Sequence, residues 1–177
     1  MNRTLTLYVL AALIGLTLGG AYAWLTRPAP PAPGETGAEL GDQRPDFRHG
    51  GLNGEWVEAS EFDGQLLLVN FWATWCAPCR REMPVLQELS EAHGDDLAVV
   101  GLAIDDLDAV REFVVELEIS YPIAVGNADV METQRAWGNS AGALPYTVLV
   151  DRDGILRWQH LGEVTRAEID QVLDDFL

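Results

Sequence analysis

The sequence predicts an α/β domain: a mixed central sheet flanked by helices, with an added N-terminal β-hairpin. Three observations carry this. Two continuous apolar runs, Leu66–Ala73 and Leu97–Ile104, bracket a helical pattern, which makes a β-α-β unit and therefore a parallel strand pair. Tyr146–Val150 turns at Asp151-Arg152-Asp153-Gly154 into Ile155–Gly162, an antiparallel hairpin. Asn53-Gly54, between two short runs in Asp46–Phe62, is a strong local signal for a further hairpin at the start of the domain.

Each element has its own justification. Leu66–Ala73 follows Asp63-Gly64 and reads as a strand buried on both faces. From Pro78 to His93 the pattern is helical, with Met83, Val85, Leu86 and Leu89 as its apolar positions and Gly94 past its end. After the second buried strand, Asp105 to Ile119 reads as an amphipathic helix with an acidic start, Asp105-Asp106 serving as its cap. A short strand at Tyr121–Val125 and a short helix over Asp129–Trp137 precede the C-terminal hairpin. Thr165 opens the last helix, with Glu168 completing a capping box and Ile169, Val172, Leu173 and Phe176 on one face.

The domain spans 46–177, and what precedes it reads differently. Leu5 to Leu25 carries no charge and as a helix would span about 31 Å, enough to cross a bilayer. Residues 1–26 therefore read as a membrane anchor with Arg3 on the cytoplasmic side. A cleaved signal peptide ending at Ala21-Tyr22-Ala23 is the alternative, and both readings export the domain. Residues 27–45, Pro-rich and then Gly-rich, read as a tether.

The chain carries 28 acidic residues against 11 Arg and no Lys, for a formal net charge of −17. Such a surface excludes nucleic acid and anionic lipid as docking partners, since both need basic patches. An Arg-favouring base composition and adaptation to high salt, which would screen the self-repulsion, are both open as its cause.

The two cysteines, Cys76 and Cys79, stand in "LLLVNFWATWCAPCRREMP". As a staple they would close a loop too short to stabilise much, about 2 kcal/mol against about 4.7 for a hundred-residue loop. As metal ligands they lack company: His49, His93 and His160 have no paired spacing, His93 reads as a charge near a helix end, and His49 and His160 read as ordinary surface residues. A redox pair fits the placement. Cys76 ends a strand-to-helix turn, where free backbone N–H groups and the positive helix end favour a thiolate. Pro78 suits the first helical turn, and Cys79 follows one turn along. Cys76 is then the attacking thiol and Cys79 the resolving one.

"VNFWATWCAPCRREMP" resembles the thioredoxin superfamily, and within it the membrane-anchored TlpA/ResA-like thiol-disulfide oxidoreductases of the bacterial cell envelope. The resemblance runs from Asp46 to Leu177 and implies a thioredoxin-like fold that works without a cofactor or metal. It implies a cis bond at Leu144-Pro145 facing the cysteines, with the Leu144 backbone free to pair with an extended client. It implies a proton-moving role for Glu82, three residues after Cys79, because Asn70 stands where thioredoxins keep a buried Asp. Trp75 is expected to shield the site and, with Ala77, Pro78 and Leu144, to contact the client; Trp72 is the other aromatic beside the motif. Arg80 and Arg81 are expected on a solvated face.

The resemblance also implies partners: client proteins with cysteine pairs, and an integral membrane thiol-electron transporter as reductant. The expected protein is a single-pass protein of the bacterial inner membrane, with its catalytic domain in the periplasm or on the outer face of the cell membrane. It would reduce disulfides of apocytochrome c or of copper-site cysteines. Around the proline this chain reads "GALPYT", unlike the "G-x-P-E-T" of dedicated cytochrome c maturation thioredoxins, which supports the broader family. A thiol oxidase, a copper-binding oxidase-assembly factor and a thiol peroxidase are the alternatives.

Overall fold

The computed structural model describes residues 37–94 and 96–177. The expected anchor and most of the expected tether lie outside the described residues; within them, no helix is long and apolar enough to cross a membrane. The chain runs β1 (Arg48–Gly51), β2 (Trp56–Glu58), a 3-10 turn (Ala59–Phe62), β3 (Leu66–Trp72), α1 (Ala77–His93), β4 (Leu97–Ile104), α2 (Leu107–Glu116), β5 (Ile123–Gly126), α3 (Ala128–Ala136), β6 (Tyr146–Val150), β7 (Leu156–Leu161) and α4 (Arg166–Leu173).

The seven strands form one mixed sheet in the order β2-β1-β5-β4-β3-β6-β7. β3, β4 and β5 are parallel, as the β-α-β pattern requires, while β6 and β7 add antiparallel on one side. The leading hairpin, turning at Gly54 with φ 91, joins the opposite side through β1 against β5. β3 is therefore an inner strand, paired on both sides by β4 and β6, and all seven of its residues are buried. Its side chains alternate between two apolar clusters. Leu66, Leu68 and Trp72 meet residues of α1, α2 and α4, whereas Leu67, Val69 and Phe71 meet Val130 of α3, Trp137 and Phe47.

Several boundaries differ from the sequence reading, each for a local reason. α2 stops at Glu116 rather than Ile119 because Glu118 turns left-handed at φ 54 and the Ile119 N–H closes back on the Val114 carbonyl at 2.9 Å. It starts at Leu107, and the N-cap Asp106 makes no side-chain cap hydrogen bond, so the expected acidic cap is absent. α4 has its capping box, with the Thr165 N–H donating to Glu168 Oε2 at 2.8 Å and the Glu168 N–H to Thr165 Oγ1 at 3.3 Å. Ile169 and Leu173 are buried in α4; Phe176 lies past its end but still packs on the same cluster.

The last residues of the segment read as a tether run along the domain. Ala38 N–H donates to the Ala136 carbonyl at 2.7 Å, and Gly41 and Asp42 pair with Leu156. His49 is not a surface residue: it is buried between β1 and α3, with Nδ1 3.0 Å from Asp129 Oδ2 and Nε2 2.8 Å from Thr133 Oγ1. His160 is half-buried and stacks on Trp158. In both cases the alternation of a strand carries the histidine to an inward-facing position, which composition alone does not reveal.

Candidate active site

β3 delivers the chain to the site. After Trp72 the segment Ala73–Cys76 turns, closed by the Cys76 N–H on the Ala73 carbonyl at 3.2 Å. Cys76 is the N-cap of α1, and its Sγ accepts the Cys79 N–H at 3.3 Å, as a capping oxygen would. Pro78 sits in the first turn, where its missing N–H leaves nothing unpaired. Cys76 and Cys79 are disulfide-bonded, with Cα atoms 5.3 Å apart. Cys76 keeps 5% of its surface and Cys79 none, so an incoming sulfur reaches Cys76 first.

Trp75 stands out from this turn, 70% exposed, beside exposed Ala77 and half-buried Pro78. Trp72, by contrast, is core: it points under α2 against Phe113, with ring centroids 5.3 Å apart. Neither arginine after Cys79 is left to solvent alone. Arg80 lies over the Phe113 ring at 4.7 Å, and the Arg81 guanidinium pairs with the Glu163 carboxylate.

Glu82 is one turn past Pro78 on the inner side of α1 and only 1% exposed. Its Oε1 accepts the Asn70 side-chain N–H at 2.8 Å, and its Oε2 accepts the Val164 N–H at 2.9 Å. Asn70 also donates to Thr147 Oγ1 on β6 at 3.0 Å. Burial disfavours the charged form and outweighs these two hydrogen bonds, pushing the carboxyl from an ordinary 4.5 up to about 7. A fully buried acid that titrates near neutrality can accept or return a proton in the course of a reaction. Tyr121 packs in the same cluster as Cys79 and Trp72; its buried hydroxyl has no partner among the described residues, and burial and then the Glu82 charge raise its pKa.

The Leu144–Pro145 bond is cis. Because Phe71 and Tyr146 are in register on β3 and β6, Pro145 lies at the end of the sheet where β3 turns toward Cys76. Leu144 is half-buried and packs against the cluster that holds both cysteines; its main-chain N–H and C=O pair with no other described residue. The preceding segment is held from within, since buried Gln134 and Asn139 both donate to the Ala143 carbonyl, at 3.2 and 2.7 Å. Tyr146 turns away from the cysteines, its hydroxyl donating to the Trp137 carbonyl at 2.8 Å.

The structure thus gathers Cys76, Cys79, Glu82, Trp75, Ala77, Pro78, Leu144 and Pro145 at one end of the sheet, around the start of α1. Sequence reasoning missed Thr147, Val164, Gln134 and Asn139. For Thr147 a signal existed: in "YTVLV", as at Asn70 in "LLLVNFW", a polar residue interrupts a buried strand, and both lie in register on the same face.

The Redoxin family model matches residues 39–173. The chain is 30% identical to the thioredoxin-like protein YneN of Bacillus subtilis, over 98% of both chains. It is 30% identical to the thiol-disulfide oxidoreductase ResA of Bacillus thuringiensis subsp. konkukian, covering 97% of this chain and 92% of that one. Among solved structures, a putative thiol:disulfide interchange protein DsbE from Chlorobium tepidum superposes with a TM-score of 0.71 at 26% identity, over 77% of this chain and 96% of that one. A DsbF homologue from Corynebacterium diphtheriae does so with a TM-score of 0.68 at 27% identity, over 78% and 87%. The chain accordingly belongs to the Redoxin family, as a thiol-disulfide oxidoreductase of thioredoxin-like fold with a single cysteine pair.

Proposed function

We propose that this protein is a cell-envelope reductase of client disulfides, held at the outer face of the inner membrane by residues 1–26 and resupplied with electrons by an integral membrane thiol-electron transporter. The observation that carries the mechanism is the asymmetry of the pair: Cys76 at the rim beside exposed Trp75, and Cys79 sealed one turn from a buried carboxyl that titrates near neutrality.

In the reduced protein the Cys76 thiolate, favoured by the end of α1, attacks one sulfur of the client disulfide, and the other leaves as a thiolate. The client segment lies along Leu144 and Pro145 with Trp75 over it. Cys79 then gives its proton to Glu82 and attacks Cys76, re-forming the internal disulfide and releasing the second client sulfur. Two electrons pass to the client, and Glu82 returns its proton to water as the site opens. Clients with cysteine pairs near a membrane, such as apocytochrome c or a copper-site protein, suit a domain that is anchored there.

The reduction potential of the Cys76–Cys79 pair tests the direction. A value near or below that of thioredoxin, about −270 mV, supports a reductase. A value near that of DsbA, about −120 mV, makes the protein a disulfide donor and overturns this reading.

A further inference from the structure

We propose that Asp105 is a positioning residue for Cys76 that also opposes the helix end in setting the acidity of that thiol; the proposal rests on Cys76 being the attacking sulfur. Asp105 directly follows β4, where sequence reading assigns it to a helix cap. Instead its Oδ2 accepts both donors of Thr74, the N–H at 2.9 Å and the hydroxyl at 2.5 Å, while Oδ1 accepts the Asp106 N–H at 2.8 Å. One carboxylate therefore ties the end of β4 to the turn between β3 and α1. That turn carries Trp75 outward and sets Cys76 on the helix.

Two consequences follow. The first is geometric: with both Thr74 donors fixed, Cys76 and Trp75 are presented to a client in one arrangement. The second is electrostatic. A carboxylate bonded to Thr74 lies within about 15 Å of the Cys76 sulfur by covalent reach alone. Its charge disfavours the thiolate that the end of α1 favours. A less acidic thiol is the more reactive nucleophile once ionised, so the opposition suits an attacking sulfur. The other charged groups facing Cys76 are committed elsewhere or lie deeper. On α1, Arg80 stacks on Phe113 and lies 3.9 Å from Glu116 of α2, and Arg81 is paired with Glu163; Glu82 is on the inner side behind Cys79. At the start of α2, Asp106 is exposed and Asp108 pairs with Arg111. Leu144 and Pro145, on the remaining side, carry no charge.

The test uses the full-length chain with Cys79→Ser, so that a single thiol remains, and follows its alkylation by iodoacetamide across pH. Asp105→Asn keeps an oxygen for the Thr74 N–H and removes the charge. It is expected to lower the midpoint of the alkylation profile by about 0.3–0.5 pH unit. Thr74→Ala keeps the charge and removes one donor, and should slow attack on a disulfide peptide with an unmoved midpoint. Asp105→Ala should do both, slowing attack about fivefold or more through misplacement of the sulfur. An Asp105→Asn midpoint that coincides with the parent, or attack by Asp105→Ala at the parental rate, overturns the proposal. Failure of the underlying assignment reads differently: Cys76→Ser in the otherwise unaltered chain would then leave a thiol alkylated as fast as that of Cys79→Ser.

Discussion

The two faces of the central sheet are built to different rules. On the face toward α3, β3 presents Leu67, Val69 and Phe71, β6 presents Val148 and Val150, and aromatic rings of Trp137, Tyr146 and Phe47 close over them. On the face toward α1, the same strands place Asn70 and Thr147 among Leu68, Trp72 and Leu149, and Glu82 descends onto them from the helix. The row continues onto β4 as Gly101, in register with Asn70, where a Cβ would stand 2.9 Å from Trp72 Nε1. A buried acid and an Asn whose own Oδ1 finds no partner among the described residues are costly, and an apolar core of the same shape avoids that cost. On the α3 face β3 and β6 thus contribute apolar and aromatic side chains alone, whereas on the α1 face some stability is given up to hold a buried acid behind Cys79.

That contrast predicts separable effects. The largest is on chemistry: Cys76→Ser should abolish disulfide reduction in a client assay while leaving the melting temperature of the reduced protein within a few degrees. Cys79→Ser should keep the first attack and accumulate mixed disulfides on non-reducing gels, whereas trapping no greater than with Cys76→Ser would remove the division of roles. On the opposite face, Phe71→Ala should cost about 3–5 kcal/mol in denaturant titration, with the folded fraction reacting normally. A comparable stability loss accompanied by an altered thiol pH profile would break the separation of the faces.

Glu82→Gln gives a smaller, pH-dependent effect. The folded protein holds the Glu82 proton more tightly than the unfolded chain, about 7 against 4.5. Its stabilising contribution is therefore complete below the unfolded value and is lost as pH rises through about 7, by about 3 kcal/mol at about 1.4 kcal/mol per unit. The wild type should lose stability relative to Glu82→Gln between pH 5 and 8; parallel stability curves would mean that Glu82 titrates as an ordinary carboxylate. Smallest is Tyr121→Phe, which deletes a buried hydroxyl without a partner among the described residues and should change stability by no more than about 1 kcal/mol.

Much of this was legible in the sequence because it is local. The buried run "LLLVNFW", the Asn53-Gly54 turn and the Thr165/Glu168 box each bear their signal within a few residues, and the motif around Cys76 and Cys79 resembles a family whose proline and glutamate lie in matching places. What was not legible depends on contacts between distant segments. Nothing near Asp105 in the chain says that Thr74, 31 positions earlier, will take its carboxylate in place of α2. His49 looks like a surface residue until β1 is laid against β5 and α3 covers it. Val164 contributes only a backbone N–H, which any residue but proline supplies, so no side chain could announce it. The placement of the hairpin at the far edge of the sheet, beside β5, likewise follows from pairing that a linear pattern does not encode.

The central claim is that Glu82 takes the proton of Cys79 when that thiol resolves the mixed disulfide. It is tested most directly by loading Cys76 with a chromogenic aryl thiol at low pH, jumping the pH, and timing release of the aryl thiol by Cys79 in the wild type and in Glu82→Gln. The account predicts a wild-type rate that rises and levels off near pH 7, and a Glu82→Gln rate that is slower there and keeps climbing with pH. Superimposable profiles in the two proteins would contradict it.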